Sequence, residues 1–129
     1  MRSRRKKTIL LVDDDAEVLR SVAMCLTKAK FNVLEAGSGR EAICSYERHE
    51  DEIDLVVTDM VMPDLCGDRV AKRLWKRKPD LPIIFYSGYP PQTLEPGINL
   101  EPGKNFLSKP FAFEELLEIV NKQLAPISH

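Results

Sequence analysis

Long apolar runs are absent from this sequence. A charge or a proline interrupts each one after a few residues, far short of the ~20 needed to cross a bilayer, so no membrane span is expected and the protein reads as soluble. Cysteine is scarce: Cys25, Cys44 and Cys66 are odd in number and have no Cys-x-x-Cys spacing. That excludes a disulfide framework or a thiolate metal cluster and suits small buried or half-buried thiols in a reducing cytoplasm. Histidine is scarcer still, with His49 expected in a charged loop and His129 at the end, and neither has the companions a transition-metal site requires. An excess of one charge is lacking too. The formal net charge is −1, so the basic stretch 1–7 is a local feature: a solvated tail is favoured over a nucleic-acid or anionic-lipid contact, and no direct nucleic-acid partner is expected. The apolar run after it is too short for a signal-peptide core and has no small-residue cleavage site.

What is present fits one domain. A chain of 129 residues, 43% hydrophobic and 30% charged, has the size and composition of a single globular core, with 8–125 as the folded unit and 126–129 as a short tail. Ile9–Val12 reads as a buried strand. The following segment, Ala16–Lys30, puts Val18, Val22, Leu26 and Ala29 on one helical face, widened by Leu19 and Ala23, with Asp15 as N-cap. Phe31–Ala36 is a second strand, and Ser38 with Glu41 has capping-box spacing for a helix carrying Ala42, Ile43 and Tyr46. Ile53–Thr58, rich in β-branched residues, suits a central strand covered on both faces. A third helix over about Asp68–Lys78 buries Val70, Leu74 and Trp75. Ile83–Tyr86 and Asn105–Ser108 are further strands, and a last helix, Phe113–Leu124, turns Leu116, Leu117, Val120 and Leu124 inward behind Ala112, a poor cap. Between the last two strands, Pro90, Pro91, Pro96 and Pro102 with Gly97 and Gly103 leave room only for a short or distorted helix. Strands alternating with helices predict a doubly wound parallel sheet of about five strands and five helical segments.

Each of four apolar runs leads into a residue suited to phosphoryl chemistry: Leu10-Leu11-Val12 before Asp13, Asp14 and Asp15; Leu55-Val56-Val57 before Asp59; Ile83-Ile84-Phe85 before Ser87; Phe106-Leu107 before Lys109. In open α/β sheets ligands bind beyond the carboxyl ends of the strands, so these side chains are expected to meet. Converging carboxylates repel by about 3 kcal/mol per pair at ~5 Å and an effective dielectric of ~20, and a hard divalent cation relieves this. Mg²⁺ held by Asp14 and Asp59, with Asp13 adjacent or bridging through water, is the expected cofactor. Asp59 would then be the nucleophile toward a phosphoryl donor, and Ser87 and Lys109 would hold the transferred oxygens.

Val12-Asp13-Asp14, Thr58-Asp59-Met60-Val61-Met62-Pro63-Asp64 with Gly67, Tyr86-Ser87-Gly88 and Ser108-Lys109-Pro110-Phe111 together resemble the motifs of the receiver domain of two-component response regulators, in order and over residues 8–125. The resemblance implies a flavodoxin-like (CheY-like) fold and a regulatory domain rather than a turnover enzyme. Asp59 would take a phosphoryl group from the phosphohistidine of a histidine kinase or histidine phosphotransfer protein. It further implies Asp13 and Asp14 as Mg²⁺ ligands with the backbone carbonyl of Val61, Ser87 as the hydroxyl drawn to the phosphate, Lys109 as its partner, and a cis Lys109–Pro110 bond. Phe106 matches the aromatic switch position, where phenylalanine signals by ring packing alone. Tyr89 falls where side chains govern the access of water to the phosphate. A phosphorylation-dependent homodimer is also compatible with the family.

The proline-rich stretch departs from the family's usual fourth helix, part of its common output face, and is similar to receivers at the carboxyl ends of hybrid sensor kinases. Two other readings compete. Asp13-x-Asp15 after an apolar strand resembles the haloacid-dehalogenase phosphatase signature, but it leaves Asp59 unexplained. An interaction module of the same fold with vestigial acids is the other.

Overall fold

The computed structural model describes residues 6–88 and 94–125; the basic residues 1–5, Tyr89, Pro90, Pro91 and the tail 126–129 lie outside the described residues. The element order is β1 (Thr8–Val12), α1 (Ala16–Lys28), β2 (Asn32–Ala36), α2 (Gly39–His49), β3 (Ile53–Asp59), α3 (Gly67–Arg77), β4 (Ile83–Ser87), β5 (Phe106–Ser108) and α4 (Phe113–Leu124). The strands form one sheet in the order β2-β1-β3-β4-β5, and every pairing is parallel. The chain leaves β1 toward β2 and returns on the other side as β3, so strand order reverses at the β1/β3 boundary. That is where an open sheet leaves a crevice at its carboxyl edge.

Period-two alternation divides the strand residues between two cores. Leu10, Val12, Val56, Ile83 and Phe85 pack with Ala42, Tyr46, Val70 and Leu74 of α2 and α3. Ile9, Leu11, Leu55, Val57, Ile84 and Tyr86 pack on the opposite face with Leu19, Ala23 and Leu26 of α1 and Leu116, Ile119 and Val120 of α4. Both faces are covered, which is why the central strands read as unbroken apolar runs. The helices that cover the sheet also direct its loops toward the carboxyl edge.

Asp15 caps α1, its carboxylate accepting from the Glu17 and Val18 N–H groups. Ser38 Oγ accepts from Glu41 N–H at 3.1 Å, but the Glu41 carboxylate accepts from Gly37 N–H at 2.7 Å, so the capping box closes one residue earlier than its usual form. Ala112 has no side-chain acceptor, and the Glu115 carboxylate compensates by accepting from the Ala112 N–H at 2.8 Å. Helix α1 stops at Lys28; Lys30 adopts φ 79°, the left-handed turn that lets the Phe31 N–H reach Leu26 O at 3.1 Å.

Four expectations need correction. Among the described residues there are four α-helices, not five helical segments: 94–105 carries turns and no helix, with Pro96 and Pro102 alongside Gly97 at φ 87° and Gly103 at φ 79°. Cys44 and Cys66 are exposed, and Cys25 alone is half-buried. In α1 the buried stripe is Leu19, Ala23 and Leu26, because Val18 and Val22 turn toward a groove beside Phe111. In α4, Ile119 is buried with Leu116 and Val120, while Leu117 and Leu124 are half-buried.

Candidate functional site

Asp13 follows β1, Asp59 ends β3, Ser87 ends β4 and Lys109 follows β5, all at the carboxyl edge of the sheet. The adjacency of β1 and β3 carries Asp13 and Asp14 to Asp59, and one carboxylate oxygen from each lies within 4.8 Å of the other two. Asp13 is fully buried and Asp59 nearly so, whereas Asp14 is exposed. The expected convergence of strand-end acids is therefore present. Asp15 stays outside the group, because its carboxylate is committed to the α1 cap.

Each buried acid is held by named donors. Asp13 Oδ1 accepts from the Asp15 N–H at 2.9 Å, and its Oδ2 accepts from the Tyr86 hydroxyl at 2.6 Å. Asp59 Oδ1 accepts from the Val61 N–H at 3.1 Å, while Lys109 Nζ donates to Asp59 Oδ2 at 3.4 Å and lies 3.8 Å from Asp13 Oδ2. Burial pushes the Asp59 carboxyl above its ordinary range; the Val61 N–H opposes that shift, the neighbouring Asp13 charge adds to it and Lys109 opposes it. Burial, then the bond to Asp13, drives the Tyr86 hydroxyl far above the usual phenol value, so it remains a donor.

Three carboxylates facing one ammonium leave excess negative charge in a partly enclosed cup. The donors are hard oxygens, two buried and one exposed, with neither sulfur nor imidazole among them. This set fits Mg²⁺, which takes oxygen ligands and retains waters on its open side. Val61 stands beside the cup, 48% exposed, its N–H already bonded to Asp59.

The remaining predicted residues lie around this group. Ser87 is 1% exposed and its carbonyl accepts from the Lys109 N–H at 2.7 Å, which ties the ends of β4 and β5 together. The Lys109–Pro110 bond is cis. Phe106 is 7% exposed and belongs to the α2/α3-side core, against which Leu94, Ile98 and Leu100 also pack. The ring is thus buried in the core that the described residues 94–100 also help to cover.

Three contributors had no role assigned from sequence, although Tyr86 and Asp64 stand within the motifs. Tyr86 bonds Asp13 and lies 4.9 Å from Lys109 Nζ, measured to the ring centroid; a tyrosine in an apolar buried strand, which needs a partner for its hydroxyl, was the available signal. Asp64 accepts from the Gly39 N–H at 3.0 Å and the Arg40 N–H at 2.9 Å, fastening the loop after β3 to the start of α2. Asp68, 7% exposed, accepts from the Glu95 N–H at 2.9 Å and latches the segment after β4 to α3. Gly67, already part of the motif, has a steric role: a Cβ there would stand 2.5 Å from Asp59 O, so only glycine lets α3 start this close to the end of β3.

The profile of the response regulator receiver domain matches residues 9–121, and the chain belongs to that family. It is 35% identical over 117 residues to Sensor kinase CckA of Brucella abortus, covering 91% of this chain and 12% of that protein. It is 35% identical over 119 residues to the response regulator receiver protein CpdR of the same organism, covering 92% and 97% of the two chains. Among solved structures, response regulator TrrA of Thermotoga maritima, in complex with Mg²⁺-BeF, superposes with a TM-score of 0.77 at 28% identity, covering 92% of this chain and 99% of that one. Family membership gives the chain a phosphoacceptor signalling role, with chemistry confined to its own phosphorylation and dephosphorylation rather than turnover of a substrate.

Proposed function

We propose that the domain accepts a phosphoryl group on Asp59 from the phosphohistidine of a histidine kinase or histidine phosphotransfer protein and switches its partner binding in response. The observation that carries this reading is the cup itself: carboxylate oxygens of Asp13, Asp14 and Asp59 within 4.8 Å of one another, with the Lys109 ammonium on Asp59 Oδ2 at 3.4 Å. An Asp59 oxygen attacks phosphorus as the bond from phosphorus to the imidazole nitrogen breaks, and the electron pair returns to the imidazole. The product is an acyl phosphate.

Asp13, Asp14 and Asp59, with the backbone carbonyl of Val61, would hold Mg²⁺. When bound, the ion offsets the charge of the carboxylates and of the incoming phosphoryl oxygens. The Mg²⁺-BeF complex of TrrA supports this assignment by similarity. Val61 N–H fixes one Asp59 oxygen, Lys109 sets an ammonium beside the other, and burial of Asp13 and Asp59 limits water around the reacting carboxylate. Phosphorylation adds roughly −2 charge between Ser87 and Lys109. Drawing the Ser87 hydroxyl toward it would bias a two-state packing of Phe106 within the core that α2 and α3 cover.

Intact-protein mass spectrometry with acetyl phosphate tests the reading. One phosphoryl group per chain, dependent on Mg²⁺ and lost in Asp59→Asn, is the expected result. No label at any Mg²⁺ concentration would refute it and favour an interaction module with unused acids.

A further inference from the structure

Tyr86 has no part in the chemistry described above, yet it touches two of that chemistry's residues. It lies in β4 one residue before Ser87 and is fully buried, on the face covered by α1 and α4. Its hydroxyl donates to Asp13 Oδ2 at 2.6 Å, across 73 residues of sequence. Its ring centroid lies 4.9 Å from Lys109 Nζ, and Phe111 packs on the ring at 5.4 Å with a tilt of 53°. One rigid side chain thus spans from an acid of the cup to the ammonium that faces Asp59.

Phenylalanine or leucine would fill this apolar strand position without a polar atom, and a buried hydroxyl lacking an acceptor is destabilising. The acceptor here is an acid whose other oxygen is already held by the Asp15 N–H. Donors on both oxygens fix the plane of the Asp13 carboxylate. Partners of ligating carboxylates act in this way on metal sites, and their loss typically weakens metal affinity by about 10–100-fold.

We infer that Tyr86 is a positioning residue for the divalent-cation site: its hydroxyl orients the Asp13 carboxylate for the ion, and its ring seats the Lys109 ammonium beside Asp59. This rests on the proposed function, and two substitutions separate its halves. Tyr86→Phe removes the hydroxyl and keeps the ring; Tyr86→Leu removes both.

Calorimetric titration with MgCl₂ is expected to show binding about tenfold weaker in Tyr86→Phe than in the parent. Labelling of that variant by acetyl phosphate should recover to the parent rate at saturating Mg²⁺, whereas Tyr86→Leu should stay slow. Tyr86→Phe binding Mg²⁺ as tightly as the parent would overturn the inference and leave the proposed function standing. A parent protein that binds no Mg²⁺ would overturn both. Should the variants fail to fold, the unmodified protein labelled with ¹³C at tyrosine Cζ supplies the test: the Tyr86 resonance should shift in step with Mg²⁺ saturation while that of Tyr46 stays in place. A Tyr86 resonance unmoved by Mg²⁺ would overturn the inference.

Discussion

Lys109 and Asp59, fifty residues apart in sequence, meet at 3.4 Å between Nζ and Oδ2, and the same ammonium stands 3.8 Å from Asp13. Lys109 is therefore the cation that offsets two buried carboxylates before any ion binds. In Lys109→Ala, acetyl phosphate should still label the protein, more slowly, because the nucleophile and the acids remain. The response to the label should be lost. Thermal denaturation checks this: beryllofluoride with Mg²⁺ at ~100 times its dissociation constant stabilises the folded state by about 2.7 kcal/mol, and the alanine variant should show well under half of the parent's rise in Tm.

The Asp59 carboxyl lies above its ordinary range chiefly through burial, which fixes a sign. Between the unfolded and the raised folded value the native state binds more protons than the unfolded state, so stability falls as pH rises through that window. Mg²⁺-free protein should gain stability as pH is lowered from neutral toward the ordinary carboxylate range. Asp59→Asn should be more stable than the parent at neutral pH, by on the order of 1 kcal/mol, since one of several like charges is removed. Urea denaturation at several pH values, in EDTA, reads both effects; an asparagine variant less stable than the parent at neutral pH would contradict them.

A Cβ at Gly67 would press on the Asp59 carbonyl at 2.5 Å and on Met60 Cα at 3.1 Å. These are backbone atoms that cannot swing aside. Gly67→Ala should destabilise the fold by about 1–3 kcal/mol and slow labelling by shifting the end of β3, whereas Gly88→Ala, with nothing within 4 Å of its Cβ, should change stability little. Chemical denaturation of the pair measures the contrast.

Asp68 binds the Glu95 N–H at 2.9 Å, and Arg69 and Lys72 reinforce the same segment through Glu95 and Pro96 O. Asp68→Ala leaves that amide without its acceptor, and hydrogen exchange at Glu95 should accelerate by about tenfold or more, the equivalent of ~1.4 kcal/mol of local stability. Unchanged exchange would mean that the latch is not what holds the segment against α3.

Much of this arrangement was legible in the sequence because it depends on where strands end. The acids, the serine and the lysine sit where apolar runs stop, and parallel order alone carries those stops to one edge. The Asp15 cap was equally legible, being a local bond. Contacts set by register and side-chain reach were not: the Tyr86 bond to Asp13 spans 73 residues, and the Asp64 bonds to the start of α2 span 25 and 24. The Ser38 cap shows the same limit at short range, since spacing predicts a reciprocal box and the turn delivers Glu41 to Gly37 instead. Amphipathic stripes erred by a fraction of a turn in α1 and α4, where half-buried Val18 and Leu117 are as apolar as the buried Leu19 and Ile119.

The most direct test of the central claim is the position of the phosphoryl group. Protein treated with acetyl phosphate and Mg²⁺, reduced with borohydride and digested, should yield homoserine at position 59 and nowhere else. Reduction product at position 13, or none in protein shown to bind Mg²⁺, would contradict the assignment of Asp59 as the acceptor.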